Sequence, residues 1–314
     1  MAIPQSESWD IDMIRYALVA TAAKGFSLTP QTRTAYRRLG NAVETRRRMR
    51  SGLPDRYLDR AIALSDLIAV HQPVVAGDRV LELGTGWVHF ESVLVRLLAD
   101  VRPTMFDVDD MRLWPVFRHY LVNLRKVLPR LNLPDGRRPL AAELIDDLLA
   151  AESFDSAYQV LGAEYCLQRD ASLAPLPSES YGLVVSADTL EHVDRGVLPQ
   201  VIRETYRLLR PGGYAIHQID LADHLSYFDP AMPAKNYLRY SPSTWERWFN
   251  STVQYVNRVQ RRQWDSIFTQ ADFEIVDCGI INEPLRGITV HSEYGLSSGD
   301  AEATLLRYVL RRPD

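Results

Sequence analysis

The sequence predicts a doubly wound α/β protein with a mostly parallel sheet, and three observations lead there. Short apolar runs alternate with stretches of helical periodicity between residues 79 and 219. The first run, Val80-Leu81-Glu82-Leu83, stops at Gly84-Thr85-Gly86 and gives way to a helical stretch. The second closes on a carboxylate, Asp107, 23 residues after Gly84. Strands that alternate with helices are joined by crossovers, and crossovers make neighbouring strands parallel.

Each element follows in order. Residues 10–72 carry apolar positions at helical spacing, Ile14, Leu18 and Ala22 and then Tyr57, Ile62, Leu64 and Ile68, so three helices precede the sheet. Arg79–Leu83 forms the first strand, Phe90–Leu98 the helix after it, and Pro103–Val108 the second strand. About fifty-five residues separate this strand from the next clear one, more than a plain crossover needs. Helical periodicity at Met111–Val127 and Leu140–Ala151 makes that segment an inserted helical piece. Tyr181–Ser186 is the next strand, Leu198–Leu209 an amphipathic helix, and Gly213–Ile219 a strand entered through Arg210-Pro211-Gly212-Gly213. A helix near Ser266 and strands at Phe273–Cys278 and Thr304–Leu310 complete the chain. The expected division is a helical cap over 1–74 and one domain over 75–314, with insertions at about 111–165 and an aromatic-rich 221–262.

Hydrophobic residues make up 46% and charged residues 24% of the 314, the mix of a chain that buries a core unaided. A net charge of −4 argues against a broad basic surface for nucleic acid. The densest basic run, Arg46, Arg47, Arg48 and Arg50, reads as the solvated face of a helix. Cys166 and Cys278 lack the paired spacing of a zinc or disulfide site. The polar stretch Met1–Asp10 and the short apolar run after it, broken by Arg15 and Lys24, resemble neither a signal peptide nor a membrane span. A cytoplasmic protein without membrane insertion is expected, with a homo-oligomer left open.

Glycines at 84 and 86 remove side chains where a ligand must approach the turn. Such a turn is often only structural, and His89 stands where a dinucleotide-binding fingerprint has its third glycine, so a nicotinamide enzyme is the rival on this motif. Asp107 strengthens it, because a carboxylate ending the next strand can accept hydrogen bonds from both hydroxyls of a ribose. Asp170-Ala171, then Tyr181–Ser186 with Ala187-Asp188-Thr189-Leu190-Glu191-His192-Val193, then Leu209-Arg210-Pro211-Gly212-Gly213 follow in order.

This ordered set, over about residues 76–220, resembles the class I S-adenosylmethionine (SAM)-dependent methyltransferases. The resemblance implies a Rossmann-like sheet of seven strands, mostly parallel with the last strand antiparallel, and SAM as cofactor. It implies that Glu82, Gly84, Thr85 and Gly86 lie against the methionine and ribose, that Asp107 holds the ribose with Val108 beside it, and that Asp170 and Ala171 flank the adenine. Trp87 would pack over the site or belong to the core.

Methyl transfer from a sulfonium mainly needs alignment, but a hydroxyl acceptor also wants a base or a metal. Asp188, Glu191 and His192 resemble the acid-x-x-Glu-His arrangement of ubiquinone-type O-methyltransferases, which implies a divalent ion such as Mg²⁺; alternatively Glu191 and His192 only brace the next helix. The second cluster lies in His217-Gln218-Ile219-Asp220-Leu221-Ala222-Asp223-His224. With a strand ending near Ile219, Asp220 and His224 both point toward the cleft, one taking a hydroxyl proton and the other orienting it. Asp223 and His192 are further catalytic candidates, and an exposed loop with incidental charges is the alternative.

His217, Tyr227, Tyr237, Arg239, Tyr240, Trp245, Asn257 and Arg258 offer aromatic faces and hydrogen-bond donors to a sugar, or form the core of a helical lid. The run Ile219-Asp220-Leu221 with Asp223-His224, then Tyr237-Leu238-Arg239-Tyr240-Ser241 and Asn257-Arg258, resembles bacterial methyltransferases of polysaccharide and glycan assembly. That implies a sugar or short-oligosaccharide hydroxyl as acceptor. A small natural-product scaffold methylated on oxygen or nitrogen, and a non-catalytic SAM-binding protein, are the alternatives.

Overall fold

A computed structural model of the chain describes residues 5–229 and 232–314, with side chains described for 15–229, 232–297 and 299–314. Seven strands form one sheet: β1 (Arg79–Leu83), β2 (Arg102–Asp107), β3 (Glu164–Leu167), β4 (Tyr181–Ala187), β5 (Leu209–Asp220), β6 (Glu274–Asn282) and β7 (Ala303–Arg311). Their spatial order is β3-β2-β1-β4-β5-β7-β6. Neighbours from β3 to β5 run parallel, and β7 lies antiparallel between β5 and β6. The expected sheet, with its last strand reversed, is the one observed. The order turns back between β1 and β4, and in an open parallel sheet the crevice for a ligand lies at the carboxyl ends of the strands flanking that reversal.

Three helices precede the sheet: α1 (Gln5–Phe26), α2 (Pro30–Arg50), capped by Thr29 with Pro30 in its first turn, and α3 (Asp55–His71). Between β1 and β4 come α4 (Phe90–Leu98), α5 (Trp114–Val127), α6 (Arg137–Ala150) and α7 (Phe154–Leu161). After β4 follow α8 (Leu198–Leu208), α9 (Pro242–Trp248), α10 (Arg261–Gln270) and the short α11 (Ser298–Glu302). None of the described helices is long and apolar enough to cross a membrane.

Both faces of the sheet are covered, so its central strands are apolar on both sides. Val80, Leu183 and Val185 face a core built with α3 to α7, through residues such as Leu64, Leu94, Phe117 and Ile145. Leu81, Leu83 and Val184 face the opposite core, with Ile202, Trp264 and Phe268 of α8 and α10. Each such side chain taken fully from water contributes about 1.5–3 kcal/mol. A third core lies apart, joining Tyr16 and Ala20 of α1 to Leu225, Tyr237, Leu238, Trp245, Ile288 and Ala301.

Three expectations are corrected. The segment expected as a helical insertion at about 111–165 runs into β3, a short edge strand that begins on an exposed Glu164, has its other side chains only partly covered and carries no buried apolar run. β5 begins at Leu209, not after Gly213, because Leu209 pairs with Tyr181 before the register shifts and Gly212 turns the chain at φ +71°. A side chain at 213 would meet the Arg210 carbonyl at 2.8 Å, so this irregularity needs its glycines. Arg48, expected on a solvated face, is 4% exposed: its guanidinium lies over Trp87 at 4.6 Å and donates to the hydroxyls of Tyr57 and Tyr120.

Candidate functional site

The glycine turn lies at the carboxyl end of β1. Gly84 and Gly86 both adopt positive φ, +70° and +58°. The amides of Gly84 and Thr85 donate to the Phe106 carbonyl, at 2.9 and 3.2 Å, and the Gly86 amide donates to Asp107 Oδ2 at 2.8 Å. A side chain at 84 would strike Thr189 Cγ2 at 2.3 Å, so this glycine makes room for the turn after β4. At 86 the nearest atom to such a side chain is the Gly84 carbonyl at 3.9 Å, which leaves room for a ligand's approach.

Glu82 is 1% exposed, and its Oε2 accepts the Ser92 amide at 3.0 Å, satisfying a donor in the first turn of α4. Its Oε1 has no partner. Burial, with Glu91 beside it, pushes this carboxyl up to about 8. Thr85 Oγ1 lies 2.6 Å from His89 Nδ1, and His89 Nε2 lies 2.8 Å from the Tyr158 hydroxyl. His89 thus fills, at φ +47°, the place of the third glycine as a core residue preceding α4.

Asp107 ends β2 with its second oxygen, Oδ1, accepting the Val108 amide at 2.7 Å and the Asp109 amide at 3.3 Å. Burial still raises its carboxyl above the ordinary value against these donors. The Gln168 amide donates to the Asp107 carbonyl at 2.9 Å, which brings the loop carrying Asp170 and Ala171 alongside. Both residues are exposed; Ala171 has φ +57°, and Asp170 Oδ1 accepts the Ser172 amide within its own loop.

At the end of β4 the structure separates residues that the sequence set together. Asp188, at φ +52°, accepts Arg60 Nη1 at 3.1 Å on one oxygen and Gln218 Nε2 at 3.0 Å on the other. Arg60 also pairs with Glu91 at 2.6 Å, and Arg307 Nε donates to Gln218 Oε1 at 2.9 Å. Glu191 and His192 instead meet His224, and one ligating atom from each of the three lies within 4.8 Å of the others. Asp188 is not part of that group.

Glu191 is 1% exposed, neither carboxylate oxygen has a hydrogen-bond partner, and burial together with Asp188 and Asp220 holds the carboxyl well above its ordinary range. His192 is exposed, with its Nδ1 2.7 Å from the Tyr255 carbonyl. His224 packs edge-on against His192 and face-on against Tyr227, and its Nε2 sits 3.5 Å from Asp220 Oδ2 without hydrogen-bond geometry. Burial pushes the Asp220 carboxyl up, but His224, the Tyr227 hydroxyl that donates to it and the Ala222 amide outweigh that and hold it below the ordinary value. Tyr227 and Phe228 are 55% and 56% exposed beside this cluster.

Other expected site residues lie elsewhere. Asp223 is fully buried, accepts the Tyr16 hydroxyl at 2.6 Å and the Leu225 amide at 3.0 Å, and so ties α1 to the chain after β5. His217 is fully buried on the α10 face, bonded to Ser186 at 2.8 Å and stacked on Phe268. Tyr237 and Trp245 belong to the third core, where Tyr240 stacks on Tyr16 at 6.3 Å. Asn257 donates to the carbonyls of Leu190 and Val193, bracing the turn that carries Glu191 and His192. Arg239 is partly buried, and Arg258 lies over Trp245 at 5.4 Å. Tyr237, Tyr240 and Trp245 thus pack in or against one apolar core. Sequence reasoning missed Arg60, although it shares the buried face of α3 with Tyr57, Ala61 and Leu64, an apolar stripe in which a charge signals an internal partner. It also missed Tyr16, on which nothing in the sequence drew attention.

In sequence comparison, a family model described as a methyltransferase domain matches residues 46–277, a range that holds the glycine turn and the acid closing β2. The chain belongs to the methyltransferase domain family. The matched part of this methyltransferase domain runs from the end of α2 into β6. No curated protein matches the sequence. Solved structures similar to it include phosphoethanolamine N-methyltransferase 2 of Haemonchus contortus in complex with SAM, at 14% identity and TM-score 0.44 over 82% of this chain and 53% of that one. The chain thus spans about half the length of that Haemonchus protein. A SAM-dependent methyltransferase of Methanosarcina mazei aligns at 14% identity and TM-score 0.45, over 78% of this chain and 97% of that one. One from Mesorhizobium loti aligns at 18% identity and TM-score 0.43, over 79% and 98%.

Proposed function

We propose that this protein is a SAM-dependent O-methyltransferase whose acceptor is a hydroxyl of a sugar or short oligosaccharide. The observation that carries the reading is the cluster at the end of β5, where Asp220 and His224 stand beside the exposed ring of Tyr227. A carboxylate and an imidazole side by side can receive a hydroxyl proton, and an exposed aromatic face suits the apolar side of a pyranose.

The residues at β1 and β2 fit SAM: the unpartnered Glu82 Oε1 is an orphaned acceptor, a side chain at Gly86 would meet nothing nearer than the Gly84 carbonyl at 3.9 Å, and Asp107 closes the neighbouring strand. In this reading Glu82, Gly84, Thr85 and Gly86 hold the methionine and ribose part, Asp107 with Val108 the ribose hydroxyls, and Asp170 and Ala171 the adenine. SAM supplies an electrophilic methyl on a sulfonium, and S-adenosylhomocysteine leaves when the acceptor oxygen bonds to that carbon. Asp220 takes the hydroxyl proton and His224 orients the hydroxyl, while Tyr227, with Arg239 and Arg258, holds the sugar. In this reading the helices of residues 1–74 act as a cap, and 75–314 as the transferase domain of a cytoplasmic protein.

The test is a screen of mono- and oligosaccharides with SAM, with and without Mg²⁺ and EDTA, reading S-adenosylhomocysteine release. Release that depends on a sugar supports the reading. Release with phenolic or amine scaffolds and none with sugars refutes the acceptor, and no release with any class refutes the enzyme.

A further inference from the structure

The group beside Asp220 has unused donor capacity. A carboxylate oxygen of Glu191 and a ring nitrogen from each of His192 and His224 lie within 4.8 Å of one another. Donors on a tetrahedral ion with bonds of about 2.1 Å sit about 3.4 Å apart, so small side-chain rotations close the set. Glu191 is 1% exposed and His224 8%; neither carboxylate oxygen of the first has a hydrogen-bond partner, and Nε2 of the second has only Asp220 Oδ2, 3.5 Å away and outside hydrogen-bond geometry. Unpartnered buried acceptors are costly, and the two on Glu191, with two imidazoles beside them, suit a cation. Arg60 does not answer them, since its guanidinium is taken by Glu91 and Asp188. His192 Nδ1 meets the Tyr255 carbonyl at 2.7 Å, the outer hydrogen bond that orients a ligating imidazole and leaves Nε2 with the lone pair. The same residue is exposed, which gives an ion a way in.

We infer that Glu191, His192 and His224 form a three-ligand site for a divalent transition metal. Two imidazoles and one carboxylate suit zinc, manganese, iron or cobalt, whereas magnesium prefers an all-oxygen set. This departs from the set Asp188, Glu191 and His192, in which oxygen ligands predominate. Three protein ligands leave a coordination position for the acceptor oxygen, whose proton then passes to Asp220 because His224 is committed to the metal. That use rests on the proposed transfer to a hydroxyl; the binding of the ion does not.

The test uses the full chain, stripped of metal and titrated with Zn²⁺, Co²⁺, Mn²⁺ and Mg²⁺ by calorimetry, with visible absorption of the Co²⁺ form, all without SAM or sugar. One equivalent of Zn²⁺ or Co²⁺ should bind at least tenfold more tightly than Mg²⁺. His192→Ala and His224→Ala should each weaken it at least tenfold, while Asp188→Asn stays within threefold. His192 is exposed, so its variant should retain the wild-type circular dichroism, and a loss of ion binding there reports on the site. No stoichiometric ion in the wild type, unchanged affinity in both histidine variants, or preference for Mg²⁺ overturns the inference. A chain that binds zinc as described but methylates no sugar refutes the proposed acceptor and leaves the metal site standing.

Discussion

Replacing His217 separates a core histidine from one that meets the acceptor. The ring is fully buried, and burial alone pushes it down to about 3. In the unfolded chain a histidine titrates near 6.5. Between the two values the unfolded chain binds a proton that the folded chain does not, so the stability this residue contributes is intact above pH 6.5 and is lost as pH falls toward 3. At about 1.4 kcal/mol per pH unit, one and a half units below the unfolded value costs about 2 kcal/mol at pH 5.0. His217→Asn keeps an acceptor near Ser186 Oγ but gives up the ring on Phe268, a loss of about 1–3 kcal/mol at pH 7.5. Urea unfolding at pH 7.5 and pH 5.0 reads both effects. The wild type should lose about 2 kcal/mol more than the variant between these conditions, since the similar acid sensitivity of buried His89 is common to both and cancels. Equal losses in the two proteins would refute the assignment of His217 to the core.

If Asp107 holds the ribose as proposed, Asp107→Ala should weaken SAM binding by about 1–3 kcal/mol in calorimetry, with the Gly86 amide contact also lost; unchanged affinity contradicts the cofactor site. Asp220→Ala should lower turnover by about a hundredfold or more while SAM affinity stays within twofold, and normal turnover removes Asp220 from the chemistry. Arg60→Met leaves the buried Glu91 without a cation and takes one of the two side-chain donors from Asp188, so unfolding free energy should fall by about 3–5 kcal/mol. A loss under about 1 kcal/mol would mean that the pair contributes little.

The parts of this fold that can be seen in the sequence are those that constrain the backbone locally. β1 and β4 stand out because strands buried on both faces carry continuous apolar runs, and the turn at 84–86 because positive φ favours glycine. β3 carries no such signal, with four residues at an edge and an exposed Glu164 at its start. The site was legible only as residue types. His217, Gln218 and Asp220 lie within four residues, yet strand alternation sends His217 to the α10 face and the other two to the face shared with α3. The partners of Asp188 and Asp223 are Arg60 and Tyr16, 128 and 207 residues away, pairings that chain distance conceals. Asp188, Glu191 and His192 read as one group along the chain, but Arg60 draws the first aside and His224 replaces it.

The cluster of Tyr16, Leu225, Tyr237 and Trp245 shares no side chain with either layer beneath the sheet. Its apolar packing is thus separate from that around the strands that carry Glu82 and Asp107, and Tyr237 reaches the sheet side through its hydroxyl on the Leu221 carbonyl. Because the Tyr16–Asp223 bond joins α1 to the segment after β5, a change on one side of it calls for a matching change on the other. A library that varies both at once should yield more folded chains than one confined to either alone.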